Sequence, residues 1–131
     1  MMGVVGIGGL FLRASDPEKL ATWYAEHLGV GGGFGPNGVR TDEPWAWRVE
    51  AGPVVFQPFT TTDDYFPLEK AYMLNLRVSG LDALLAELRD AGVAVETRPE
   101  WDATPEIGRF ARIHDPEGNP IELWEPPLGA T

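Results

Sequence analysis

Residues 115–124, DPEGNPIELW, place one carboxylate, Glu122, between the apolar side chains of Ile121 and Leu123. A carboxylate so placed can act as a general acid or base, can accept hydrogen bonds from a ligand, or can be a strand residue facing water. Burial among apolar walls would disfavour its charged form, whereas a neighbouring Arg77 or Arg112 would favour it. Few other groups compete for a chemical role. The chain has no cysteine, which excludes disulfides, thiolate metal sites and a cysteine nucleophile. Its two histidines are His27, near the end of a helical pattern where the dipole favours a cation, and His114, just before a turn. Ser15 and Ser79 stand at helix starts, where capping accounts for them, and no serine-histidine-acid arrangement is legible.

Glu122 is positioned by a turn and two strands. Asp115, Pro116, Glu117 and Gly118 have the chemistry of a type I turn: an acceptor at the first position, a preset φ at the second and a glycine at the fourth. Residues 110–114 and 120–124 are therefore expected to pair as an antiparallel hairpin. Strand alternation then sends Ile121 and Leu123 to one face and Glu122 and Trp124 to the other.

The chain also repeats itself. When Gly9 is set on Met73, Leu10, Leu12, Arg13, Ser15 and Leu20 fall on Leu74, Leu76, Arg77, Ser79 and Leu84. Each window runs from an apolar strand through a polar turn into a helix. Ser15, Asp16, Pro17 and Glu18 form a helix start, and Gly29 and Gly92 are the stops. Leu20, Trp23, Tyr24 and His27 or Leu28 share one helical face, as do Leu81, Leu84, Leu85 and Leu88. Further strands are expected at residues 38–41, 45–50 and 54–59 in the first half, and at 93–98, 108–114 and 120–124 in the second. The expected organisation is a module at 1–60, a linker at 61–71 and a second module at 72–131, each module β-α-β-β-β. The linker, with Tyr65 and Phe66, is either a lid or a simple crossover. Residues 29–38, GVGGGFGPNG, lack the lysine and hydroxyl of a phosphate-binding loop and read as a connector.

If Leu10, Leu12, Leu74 and Leu76 pack under the helices, alternation puts Gly9, Phe11, Arg13, Met73, Asn75 and Arg77 on the opposite, concave face. Gln57, Phe59, Phe110, Arg112, His114, Glu122 and Trp124 join them, a mix of aromatic walls and convergent polar groups suited to a small molecule. Trp45 and Trp47 share a face and can stack on a flat ligand or fill a core or interface. Arg13 and Arg77 can pair with acids or recognise an anion. Trp101 lies in a loop. The net charge of −10 over 131 residues repels phosphate backbones and anionic lipid, so neither nucleic acid nor membrane is an expected partner. The N-terminal apolar run meets Arg13 well before bilayer length and reads as a strand, and the expected compartment is the cytoplasm.

The ending DPEGNPIELW, the opening ASDPEKLATWYAEHLGV and the two-unit repeat together resemble the vicinal oxygen chelate superfamily, which includes glyoxalase I, extradiol dioxygenases and bleomycin-binding proteins. The resemblance implies an α+β fold in which two βαβββ modules form an open, eight-stranded, barrel-like sheet with helices outside, and a homodimer. It also implies metal-ligand positions in the first and last strands of each module, which in this chain are Gly9, Met73, Gln57 and Glu122. Only Glu122 is a suitable ligand for a hard or borderline ion. The expectation is therefore a protein that holds a small organic molecule in its barrel without a metal or other cofactor. The rival expectation is a glyoxalase-like lyase or isomerase that uses Glu122 with an atypical divalent metal or by acid-base chemistry.

Overall fold

The structure is a computed structural model that describes residues 3, 10–30, 34–35, 38–39, 52 and 54–127. In chain order it contains α1 (Pro17–Leu28), β1 (Phe34–Gly35), β2 (Gly38–Val39), β3 (Leu74–Arg77), α2 (Leu81–Asp90), a 3-10 turn (Pro99–Asp102), β4 (Arg109–His114) and β5 (Pro120–Glu125). The helices start at positions related by the repeat, Pro17 falling on Leu81. Pro17 opens α1, and Gly29, in the left-handed region at φ 66°, closes it. The capping acceptor is Asp16, whose carboxylate takes the Lys19 N–H at 3.1 Å. Ser15 is not the cap: its backbone N–H and hydroxyl donate to Glu117 in the distant turn, at 3.2 and 2.7 Å.

The N-terminus of α2 differs from the sequence expectation too. Gly80 occupies the cap position and offers no side chain, so Ser79 does not cap this helix. Glu125, at the end of β5, reaches across to accept from the N–H groups of Gly80 and Leu81 at 2.7 and 3.1 Å. A carboxylate there satisfies two orphan donors and complements the helix dipole.

β5 lies at the centre of a three-stranded sheet ordered β3-β5-β4, parallel to β3 and antiparallel to β4. The hairpin is as the turn residues predict. Asp115 accepts the N–H groups of Glu117 and Asn119 through Oδ1, at 2.9 and 3.0 Å, and Gly118 has φ 82°. One sheet face packs Leu76, Ala111, Ile113, Ile121 and Leu123 against Leu20 and Tyr24 of α1 and Leu81, Leu85 and Leu88 of α2. Ile113, Ile121 and Leu123 are wholly buried, and each stabilises the fold by about 2 kcal/mol. Tyr24 brings its hydroxyl into this layer and donates it to Asp115 Oδ2 at 2.8 Å.

Other expected strands differ. The described residues hold five strands in two sheets, β1 pairing only with β2. Residues 10–14 and 54–60 join no ladder, and residues 93–98 contribute a single antiparallel bridge, Glu96 to Arg112. A strand exists only through the partner that takes its backbone hydrogen bonds, and the expected partner at 45–50 lies outside the described residues. Leu10, expected in the core, is 48% exposed.

Where β4 begins, Gly108 has φ 122°, and a Cβ there would stand 2.3 Å from the Glu125 carbonyl oxygen and 2.9 Å from Trp124 Nε1. Gly108→Ala is expected to cost roughly 2–3 kcal/mol in urea denaturation, from backbone strain and the clash together. Glu125→Ala is expected to cost about 1 kcal/mol in the same measurement by uncapping α2, and an unchanged midpoint would remove the capping role.

Candidate functional site

The register of the three strands assembles the site. Asn75, Glu122 and Arg112 lie opposite one another across β3, β5 and β4, and Arg77, Trp124 and Phe110 form the next row on the same face. This is the face opposite the helix-packed core, as alternation requires. Two residues of the first row are charged yet almost closed off from water, Arg112 at 4% exposure and Glu122 at 7%.

Each charge is met by a different set of partners. Glu122 accepts from Asn75 Nδ2 through Oε1 at 2.7 Å, and from the Tyr65 hydroxyl through Oε2. The Arg112 guanidinium donates from Nη2 to the Tyr65 backbone carbonyl at 3.1 Å. Its Cζ also lies 4.9 Å from the centroid of the Tyr65 ring and 5.3 Å from that of Trp101, so two π faces stabilise the cation. Phe59 stacks on Tyr65 at 5.9 Å, and Trp101 meets it edge-on at 6.1 Å. In the second row Phe110 and Trp124 are nearly parallel with centroids 6.3 Å apart, and Arg77 covers Trp124 at 4.7 Å. Trp124 is fixed further by its N–H to the Ile107 carbonyl at 2.8 Å.

The structure therefore brings Asn75, Arg77, Arg112, Glu122 and Trp124 together, and Met73 precedes them, partly buried, at the foot of β3. It does not bring all the expected residues. Phe11 is 87% exposed, and Gln57 is exposed with its amide turned to the neighbouring Pro58 carbonyl at 3.3 Å. Both were assigned to the concave face by strand alternation, and neither lies in a ladder that would impose it. His114 is exposed at the end of β4 and lines a separate cleft of about 270 Å3 with Trp23, His27 and Asp115. Trp45, Trp47 and Gly9 lie outside the described residues.

Tyr65 and Trp101 are the participants that sequence reasoning missed. Both come from segments without strand or helix periodicity, the linker and the 3-10 turn, so no pattern assigned them a face. The available signal was the Tyr65-Phe66 pair in an otherwise polar linker. Phe66 packs on Phe59, with centroids 5.5 Å apart, and completes the aromatic cluster.

The donors do not fit a divalent ion. Among the described residues no three histidine or carboxylate side chains converge to hold one. Of the positions the resemblance assigns to ligands, Met73 offers a soft thioether and Gln57 is exposed with its amide on the Pro58 carbonyl. Glu122 has both oxygens engaged by neutral donors.

This arrangement, a polar row on the open face of a sheet whose other face is covered by two repeat-related helices, can be compared with known proteins. A family model described as a glyoxalase-like domain matches residues 9–124. The chain belongs to the glyoxalase-like domain family. It is thereby a member of the vicinal oxygen chelate superfamily that the sequence motifs resemble. Among solved structures, TnmS3, an antibiotic binding protein from Streptomyces sp. CB03234, is 26% identical over 96% of this chain and 99% of its own, with a TM-score of 0.56. A glyoxalase/bleomycin resistance protein from the same organism is 27% identical over 86% of this chain and 94% of its own, with a TM-score of 0.48. Among curated proteins, a 70-residue stretch covering 53% of this chain is 34% identical to the ribosome maturation factor RimP of Delftia acidovorans (strain DSM 14801 / SPH-1). The chain spans 36% of that factor's length.

Burial, followed by the hydrogen bond to Glu122 and its charge, pushes the Tyr65 hydroxyl up to about 12, against the opposing pull of Arg112. A tyrosine in the unfolded chain titrates near 10. The raised value therefore contributes stability that is complete below about pH 10 and is lost as pH rises through about 12. Tyr24, raised by burial and by its bond to Asp115, acts with the same sign. Urea denaturation between pH 9 and roughly 12 is expected to show a shallower loss of stability for Tyr65→Phe than for the natural chain. A steeper loss would contradict the Tyr65 environment described above.

Proposed function

We propose that this protein binds a small organic molecule, of the aromatic antibiotic class, on the concave face centred on Glu122 and Arg112, and does so without a metal. The observation that carries this reading is the buried pair of charges on the open sheet face, walled by Trp101, Phe110 and Trp124. A few fixed polar groups within aromatic walls are the composition of a site that orients a flat ligand. The similarity to TnmS3 over 96% of the chain supports the antibiotic class. The engagement of both Glu122 oxygens by the neutral donors Asn75 and Tyr65 supports binding by hydrogen bonds and stacking instead of by chelation.

In this reading the modules at 1–60 and 72–131 close into the open, eight-stranded barrel of the superfamily. The chain then works as a cytoplasmic homodimer that sequesters its ligand. Asn75, Arg77, Arg112, Glu122 and Trp124 supply its central contacts, with Met73 beside them.

Calorimetric titration with a panel of aromatic antibiotics, with and without a chelator, tests this function. Binding of at least one member with a micromolar or lower Kd, unchanged by the chelator and weakened about tenfold in Glu122→Gln, is the expected result. One equivalent of a divalent ion that copurifies with the protein and is lost in Glu122→Ala would overturn the metal-free reading.

A further inference from the structure

Tyr65 satisfies the polar row of the candidate site from a segment that is not part of the sheet. Its hydroxyl donates to Glu122, its ring lies against the Arg112 guanidinium and on Phe59, and its backbone carbonyl accepts from Arg112. Residues 60–72 carry no strand or helix. Their local order rests on short turns, Asp63 N–H to the Thr60 carbonyl at 3.1 Å and Lys70 N–H to the Pro67 carbonyl at 3.0 Å, and on the Tyr65 N–H to Asp63 Oδ1 at 2.9 Å. Withdrawing Tyr65 from the row would therefore break no β-ladder.

The fit of Tyr65 is also incomplete. Arg112 is 4% exposed, and its Nε has no hydrogen-bond partner among the described residues. A buried guanidinium N–H without an acceptor is costly, and an arginine normally offers paired N–H groups to a planar acceptor. The site thus holds a donor that Tyr65 cannot satisfy.

We propose that Tyr65 occupies this site as a built-in stand-in for the ligand. The ligand would then be a flat aromatic molecule with a hydroxyl donor at one end, for Glu122, and a carbonyl acceptor at the other, for Arg112. The inference rests on the small-molecule reading above and specifies the ligand's chemistry. Ring, donor and acceptor take the places that the Tyr65 ring, hydroxyl and carbonyl hold, and the ligand's acceptor also serves the unmet Nε. Because the ligand must displace Tyr65, its apparent affinity is its intrinsic affinity multiplied by the fraction of molecules in which the site is open.

The probe is 6-acetyl-2-naphthol, with its O-methyl ether as the analogue lacking the hydroxyl donor, titrated into the natural chain, Tyr65→Phe and Tyr65→Ala. Tyr65→Ala is expected to bind the naphthol at least tenfold more tightly than the natural chain. Tyr65→Phe, which loses only the bond to Glu122, should fall between them, and the ether should bind Tyr65→Ala about tenfold more weakly than the naphthol. In the natural chain, the naphthol should speed amide hydrogen exchange across residues 60–72 as Tyr65 leaves. A ligand covered by a closing lid would slow it.

Equal or weaker naphthol binding by Tyr65→Ala, or slowed exchange across that segment, overturns the inference. If Tyr65→Ala does not fold, Tyr65→Phe and the exchange measurement decide by the same signs. Naphthol and ether binding alike to all three proteins removes the stand-in role while leaving small-molecule binding in place. Failure of the naphthol to bind any of them also overturns the inference, and the antibiotic panel then decides separately whether the binding reading survives.

Discussion

Arg112 and Glu122 face each other on neighbouring strands in a sheet whose opposite face is dry. Removing two ions from water costs several kcal/mol for each, and attraction between them recovers that cost only when their remaining hydrogen-bonding capacity is met. Most of the polar face of the sheet can be understood as the means of meeting it. Asn75 and Tyr65 bring neutral donors to the carboxylate, and the rings of Tyr65 and Trp101 flank the guanidinium. Among the described residues the Arg112 Nε is left without a partner, so the unsatisfied capacity of the row there is that of a donor.

The row holds because the strands carrying it cannot slip. A shift of one residue in β5 would turn Ile121 and Leu123 out of the core and Glu122 into it. Three local devices resist that shift. The Asp115 carboxylate closes the turn and takes the Tyr24 hydroxyl from α1, so the hairpin is tied to the helix layer. Glu125 caps α2 from the far end of β5, and the close approach at Gly108 lets the start of β4 lie against the end of β5. The polar face is thus held in place from the apolar one.

Membership of the glyoxalase-like family gives this architecture a context without fixing its chemistry. Of the strand-end positions that the resemblance implies for ligands, Glu122 carries a carboxylate. Its oxygens are committed to a tyrosine and an asparagine, and its strand neighbour is an arginine. A carboxylate in those surroundings is suited to hydrogen bonding with a partner and not to chelation. The aromatic groups around it extend that preference from a single polar contact to a flat surface.

The local rules of the chain determined the helices, the 115–118 turn, the β4–β5 hairpin and the face on which Glu122 lies. Each depends on residues close in sequence: Pro17 and Gly29 at the ends of α1, Asp115 and Gly118 in the turn, and apolar residues alternating with Glu122 in β5. Alternation misled at Phe11 and Gln57, because periodicity has force only where a neighbouring strand pins the pleat. Only the tertiary structure decided that α2 is capped by Glu125 instead of by its own serine, and that Tyr65 and Trp101 enclose Arg112. Those contacts join residues 11 to 47 positions apart in the chain, and Tyr65 and Trp101 come from stretches with no repeating pattern. The sequence by itself specified a carboxylate on the open face of a strand, and the folded chain decided which groups share that face with it.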